Sequence, residues 1–131
     1  MDLTRLDEVE RIKASVMEYV EGVVEFDFPR GMDPWHPDGL KFSYNREEDK
    51  LIRETILESK PDLSEEEIKQ ARKVVHQRGT IEYVDWTGTA ASVKLLWVSE
   101  RQGTHREYTD YILLLKVRDE WKIVSKVSYS T

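Results

Sequence analysis

The sequence predicts an α+β fold in which N-terminal helices pack on one face of a bent antiparallel sheet. Segments before Gly79 carry apolar residues mostly at three- and four-residue spacing, which is typical of amphipathic helices. Segments after Gly79 are rich in Val, Ile, Leu, Tyr, Trp and Thr, which favour strands. Residues that favour turns, namely Gly88, Gly103 and Asp119, divide this region into four strands. The C-terminal part of the chain is therefore expected to form a four-stranded meander.

The first predicted element is an amphipathic helix over residues 4–25, with Thr4 and Asp7 as its N-cap pair. The apolar residues on one face of this helix are Val9, Ile12, Val16, Tyr19 or Val20, and Val23. The segment Asp27–Asp38 contains three prolines and a glycine, so it has room only for a short helical turn. Alternation over Leu40–Tyr44 then predicts a short strand.

The charged segment between this strand and the meander is predicted to hold two further helices. One covers Glu47–Ser59, with Leu51, Ile52 and Ile56 facing inward, and Pro61 separates it from the next. The second helix begins with a capping box formed by Ser64 and Glu67 and ends at Gly79. Its inward face is expected to comprise Ile68, Ala71, Val74 and Val75.

Two of the four predicted strands are apolar on both faces. Leu95–Val98 and Ile112–Leu115 lack the alternation expected of a sheet with one face in water. The outer sheet face therefore needs a cover, and the chain has no spare segment that could serve as a long covering loop. We expect a homodimer through this face. Leu113 or Leu115 on one face, or Leu114 on the other, would meet the partner.

Composition narrows the class of protein. The 131 residues suit a single domain spanning the whole chain, residues 1–131, and the absence of cysteine excludes disulfides and zinc–thiolate sites. A net charge of −6 argues against a nucleic-acid partner. The charged start, MDLTRLDEVERIK, and the short apolar runs argue against a signal peptide and a membrane span. We expect an intracellular protein, cytoplasmic if its source is a prokaryote.

Three sequence blocks together resemble a known superfamily. They are IKASVMEYVEGVVEFD, WHPDGLKFSY and, most specifically, YTDYILLLKVRDEWKIVSKV. This order of helix, Pro-rich turn, strand, helix and meander is similar to the nuclear transport factor 2-like superfamily. The local sequence of these blocks is similar to the branch described as "putative lumazine-binding", a relative of the polyketide cyclase-like and ketosteroid isomerase-like proteins. The resemblance implies a cone-shaped sheet wrapped round helices, an internal pocket and frequent dimerisation through the sheet.

Two residues are candidates for acid–base catalysis. Asp110 lies in the middle of a predicted strand, where a carboxylate in an apolar cavity could act as general acid or base. The alternative is an ion pair across the sheet or at the dimer seam, with Lys116, Lys122 or Lys126 as partner, and we favour the seam. His36, in the PWHPD turn, could shuttle protons if it faced the cavity, or it could serve only the turn.

Aromatic side chains are the candidates for a ligand pocket. The residues expected to line it are Trp35, Tyr44, Trp97, Tyr108 and Tyr111, since aromatic walls suit a small apolar or aromatic ligand. They could equally be core or interface residues. The three histidines show no metal-binding spacing, and no phosphate-binding loop is present, so neither a metal nor a cofactor is expected.

The sequence leaves three classes of function open. The first is a small-molecule-binding protein with an internal, largely apolar pocket. The second is an enzyme of the isomerase, dehydratase or cyclase type that uses His36 and Asp110 for proton transfer. The third is a protein-interaction module that reuses the fold. The residues that line the cavity would discriminate among them, because an interaction module would fill its cavity with side chains.

Overall fold

Three helices and one six-stranded sheet make up the fold in a computed structural model, which describes residues 3–130 and the side chains of residues 5–130. The helices are α1 (Leu3–Val24), α2 (Phe28–Met32) and α3 (Glu65–Val74). The strands are β1 (Trp35–Asn45), β2 (Lys50–Thr55), β3 (Val75–Thr87), β4 (Ala90–Arg101), β5 (Thr104–Val117) and β6 (Glu120–Ser130). The predicted α+β class is confirmed. The N-cap predicted at Thr4 lies outside the described side chains.

The core lies between α1 and the inner face of the sheet. Ile12, Val16 and Val20 of α1 are buried, as the predicted apolar face requires. They pack in one cluster with inward residues of the central strands, including Val93, Leu95, Ile112, Leu114 and Ile123. Burial alternates along β5, so Leu114 is buried whereas Leu113 and Leu115 are exposed. The two-sided apolar sequence of β5 therefore supplies one core face and one exposed apolar face.

The sheet is mixed rather than fully antiparallel. Its strand order is β2-β1-β6-β5-β4-β3, and every neighbouring pair is antiparallel except β1 with β6. The predicted meander corresponds to β3–β6. The predicted short strand at Leu40–Tyr44 belongs to β1, which begins at Trp35 and has an irregular register before Leu40. The predicted turn at His36–Asp38 is this irregular part of β1.

The helix predicted over Glu47–Ser59 is wrong. Residues 50–55 form β2, which pairs antiparallel with β1. A turn precedes β2: the Asn45 side chain accepts a hydrogen bond from the amide of Glu48, and Asp49 has a positive φ. Such local side-chain bonds to the backbone compete with helix formation. Leu51, which was expected to face inward, is exposed.

The predicted helix stop at Gly79 is also wrong. The capping box of Ser64 and Glu67 is present, but α3 ends at Val74 and β3 begins at the next residue. None of the residues of α3 is fully buried, so the expected inward face only partly forms. Gly79 instead lies within β3, where an added Cβ would be 2.8 Å from Cγ1 of Val20. This glycine therefore allows β3 to pass close to α1.

The outer face of the sheet is exposed in the single chain. Its exposed large apolar side chains include Leu96, Tyr111, Leu113, Leu115 and Val127. Over residues 3–130, no helix is both long enough and apolar enough to cross a membrane.

Candidate functional site

A concave cavity of about 940 Å³ opens on the inner side of the sheet, beside the C-terminal half of α1. Its walls come from α1, β1, β2 and β3–β6. Aromatic side chains of Tyr19, Tyr44, Trp97 and Tyr108 line it together with charged and polar groups. More than half of the lining residues are charged or polar, so the cavity combines ring faces with many polar groups and is not the largely apolar pocket expected from the sequence.

Asp110 is the buried acid of this cavity. Its side chain comes from the middle of β5 and is 2% exposed. One carboxylate oxygen accepts a hydrogen bond from Nε1 of Trp97 at 2.8 Å, and the other accepts a hydrogen bond from Oγ of Ser128 at 2.7 Å. The ammonium of Lys126 lies 3.4 Å away. Asp110 is therefore an ion-paired acceptor, and each of its two oxygens accepts a hydrogen bond.

Lys126 links this acid to α1. Its Nζ donates a hydrogen bond of 2.9 Å to Oη of Tyr19. Burial lowers the pKa of Lys126, but the neighbouring Tyr19 and Asp110 outweigh this effect, so the pKa is raised. Burial raises the pKa of Tyr19. At neutral pH Lys126 is therefore an ammonium and Tyr19 a neutral phenol.

A second lysine enters the cavity beside the first. Lys41 of β1 is the direct cross-strand neighbour of Lys126 in β6. Its Nζ lies 5.3 Å from the ring centroid of Trp35 and 5.6 Å from that of Tyr19. Burial, followed by the charge of Lys126, lowers the pKa of Lys41 to about 8. Lys41 is therefore the group in this cavity whose charge changes just above neutral pH.

The structure places the predicted pocket residues in three locations. Tyr44, Trp97 and Tyr108 line the concave cavity. Trp35 is buried behind it, edge-on to Tyr19 with ring centroids 5.7 Å apart. Tyr111 does not line the cavity, because it lies on the outer face of β5, 46% exposed and below the ammonium of Lys94.

The two predicted catalytic residues do not share the cavity. Asp110 lines it, whereas His36 lies in the irregular start of β1, where its Nδ1 accepts a hydrogen bond from the amide of Asp38. The location of Asp110 at a dimer seam is wrong, because its side chain faces inward. Among the three proposed lysines, Lys126 is its partner; Lys116 pairs with Glu8, and Lys122 pairs with Glu120.

Sequence reasoning missed the roles of Tyr19, Lys41 and Ser128. Tyr19 appeared only as a core residue of α1, although its hydroxyl reaches the cavity. Lys41 and Ser128 lie at polar positions of strands that read as solvent-facing. In β6, Val124 is an extra residue between Ile123 and Ser125, so the residues that follow change parity, whereas Lys41 in β1 keeps the parity of Trp35.

The comparison with protein families gives a match over almost the whole chain. The sequence profile of the family described as "Putative lumazine-binding" matches residues 7–129. None of the curated protein sequences matches this chain.

Solved structures share the fold at low sequence identity. A nuclear transport factor 2-like protein of unknown function from Shewanella baltica is 22% identical, with a TM-score of 0.72 over 96% of this chain and 95% of that chain. A ketosteroid isomerase-like protein from Erwinia carotovora atroseptica is 18% identical, with a TM-score of 0.68 over 94% and 95%. A protein described as a putative scytalone dehydratase from Novosphingobium aromaticivorans is 15% identical, with a TM-score of 0.69 over 100% and 89%. These similarities establish the fold alone.

Proposed function

Since the chain belongs to the putative lumazine-binding family of the nuclear transport factor 2-like superfamily, we propose that it binds a small molecule in the concave cavity. The observation that carries this proposal is the cavity itself: about 940 Å³, walled by Tyr19, Tyr44, Trp97 and Tyr108, with the Asp110–Lys126 pair among its lining residues. This volume falls in the range of roughly 300–1,000 Å³ that is usual for small-molecule sites. A flat aromatic body that carries polar or charged groups suits these walls.

Binding is better supported than proton transfer by His36 and Asp110. Two of the similar structures are described as ketosteroid isomerase-like and as a putative scytalone dehydratase. These descriptions support an enzyme as the alternative function. Proton transfer by this pair requires both residues to reach the same ligand, however. His36 does not line the cavity. An interaction module is the least supported alternative, because its cavity would be filled by side chains.

The cavity can be tested with a neutral fluorescent probe, N-phenyl-1-naphthylamine. We expect saturable binding to the wild-type protein with enhanced probe fluorescence. The Gln77→Trp substitution places a bulky ring at an inward position of β3 that lines the cavity, and it should weaken binding about tenfold or more. His76→Trp is the matched control, because His76 is the exposed neighbour on the same strand.

Two results would contradict the proposal. One is the absence of saturable binding to the wild-type protein. The other is equal weakening by Gln77→Trp and His76→Trp, which would place the probe outside the cavity. Thermal unfolding of both variants shows whether either substitution disrupts the fold.

We also propose that two copies of the chain associate through the outer sheet face. Its support is the exposed apolar surface around Leu113, which is 48% exposed, and Tyr111, which is 46% exposed, on adjacent outward positions of β5. Contiguous apolar patches of this kind mark interaction surfaces. A second copy is the simplest partner, because an isologous pairing buries the same patch twice.

A further inference from the structure

Two neighbouring lysines in the concave cavity leave a charge unbalanced, and a ligand-binding role for them rests on the proposed function. Lys41 and Lys126 are direct partners across the β1–β6 pair and point to the same face. Both ammonium groups lie over the ring of Tyr19, at 5.6 Å and 5.4 Å from its centroid. Like charges placed directly opposite each other destabilise a sheet unless other groups compensate.

One carboxylate compensates only one of these two charges. Asp110 lies 3.4 Å from Nζ of Lys126, and its oxygens also accept hydrogen bonds from Trp97 and Ser128. Within the described part of the chain, no carboxylate lies within 4 Å of Nζ of Lys41, whose close neighbours are the faces of two aromatic rings. The cluster of Lys41, Lys126 and Asp110 therefore carries one excess positive charge.

Three charged groups act on the ammonium of Lys41. Lys126 of β6 repels the Lys41 ammonium, and Asp110 of β5 attracts it. Glu54 of β2 is the cross-strand neighbour of Lys41 on its other side and also attracts it, but it forms no close ion pair with it. Tyr19 of α1 is neutral at neutral and mildly alkaline pH, because burial raises its pKa. The attractions do not cancel burial and repulsion, since the pKa of Lys41 falls to about 8.

The position of Lys41 also indicates the shape of a ligand. Besides the concave cavity, Lys41 lines a smaller cavity of about 210 Å³. The walls of this smaller cavity are mainly apolar, with Val23, Phe28, Met32 and Ile56 among them. Lys41 thus lies where a polar space meets an apolar one. A molecule that places its anionic group at Lys41 can place an apolar part against these walls.

From this juxtaposition we infer that Lys41 holds the carboxylate of a small aromatic or amphipathic acid bound in the concave cavity. The carboxylate supplies the negative charge that the two lysines and Asp110 lack, and the ammonium donates charge-assisted hydrogen bonds to it. The ring of the acid packs on the aromatic side chains that line the concave cavity. Binding of such an acid weakens as pH rises through the pKa of Lys41, because the neutral amine no longer attracts the anion.

The test compares 2-naphthoate with its neutral isostere, 2-naphthamide, by isothermal titration calorimetry at pH 7. We expect 2-naphthoate to bind the wild-type protein about tenfold or more tightly than 2-naphthamide. Lys41→Met should remove this preference while leaving the affinity for 2-naphthamide nearly unchanged, and Lys41→Arg should keep it. Lys50→Met is the matched control, because it removes one lysine charge from the exposed start of β2, outside the cavity.

The outcomes separate this inference from the proposed function. Equal binding of 2-naphthoate and 2-naphthamide would overturn the role of Lys41 and leave ligand binding in the cavity standing. Equal loss of 2-naphthoate affinity in Lys41→Met and Lys50→Met would also overturn it, since net charge alone would then explain the effect. If neither compound binds and the neutral probe fails as well, both the inference and the proposed function are wrong. A 2-naphthoate affinity that stays constant from pH 7 to about 9.5 would contradict the assigned titration.

Discussion

Replacing Asp110 by Asn tests whether the buried ion pair stabilises the fold. Asparagine keeps the shape of the side chain, and its oxygen can still accept the hydrogen bond from Trp97, while the Ser128 hydroxyl can rotate to accept one from the amide. The Lys126 ammonium, whose side chain is 14% exposed, then loses its anionic partner. Breaking a buried pair by removing one partner costs roughly 3–5 kcal/mol.

The expected loss lies at the lower end of this range. Lys126 retains its hydrogen bond to Tyr19, and the cavity gives its ammonium access to water. We therefore expect Asp110→Asn to lower the free energy of unfolding by about 3 kcal/mol. That is a large fraction of the roughly 5–15 kcal/mol by which native proteins are stable. The measurement is urea unfolding at pH 7, followed by tryptophan fluorescence.

Two further variants make this prediction refutable. Asp110→Asn combined with Lys126→Met removes both charges and should recover at least about half of the loss, because no buried charge remains unpaired. Asp85→Asn removes an exposed carboxylate of β3 and should change stability by no more than about 0.5 kcal/mol. A loss below about 1 kcal/mol for Asp110→Asn, or a double variant as unstable as the sum of its two singles, would refute the reasoning.

Three other predictions concern pH dependence, association and helix packing. The folded pKa of Lys41, about 8, lies below the unfolded value of roughly 10.4, so the unfolded chain binds more protons between these pH values. Stability should therefore rise with pH from about 8 to 10 relative to Lys41→Met, as measured by urea unfolding; an equal pH dependence of the two proteins would contradict the shift. Leu113→Glu should convert a dimer into a monomer in sedimentation equilibrium at micromolar concentration, and a wild-type protein that is already monomeric would exclude the dimer. Gly22→Ala should destabilise the protein by about 3 kcal/mol in the same unfolding assay, because its Cβ would lie 2.2 Å from the backbone nitrogen of Gly31; an unchanged midpoint would show that α1 and α2 separate easily.

The helices and strands that sequence analysis predicted correctly have strong local signals. The apolar residues of α1 recur on one face, and turn residues separate the strands of the meander. β2 has no such signal, because its sequence, KLIRET, is half charged and only partly buried. Its pairing with β1 follows from the turn between the two strands. The charged residues of this turn are also compatible with a helix, so the sequence pattern does not reveal the turn. The end of α3 was misplaced because Gly79 looked like a helix stop, whereas its role is a tertiary contact with Val20.

The candidate site was predictable only in part. Asp110 was predictable as a candidate site residue because a carboxylate is unfavourable in the middle of a strand. Lys126 was among its predicted ion-pair partners. Neither the excess charge at Lys41 nor the contact between the Tyr19 hydroxyl and Lys126 could be predicted from the local sequence pattern. The first depends on which residues β1 and β6 place side by side, and the second depends on how α1 packs against β6. Contacts between such distant segments leave no signature in the adjacent sequence.

The extra residue in β6 gives the site a second property. Leu113 pairs with Ser125, and Leu114 pairs with Ile123, so Val124 has no partner on β5. Strict alternation from Trp121 and Ile123 would turn Val127 and Tyr129 inward and leave Lys126 outside.

The sequence of β6 thus allows two alignments, one with an ion-paired cavity and one with a cavity plugged by its own apolar side chains. The bonds of Lys126 and Ser128 to Asp110 form only in the first alignment. The groups that would meet a ligand therefore also favour the observed alignment of the strand that carries them.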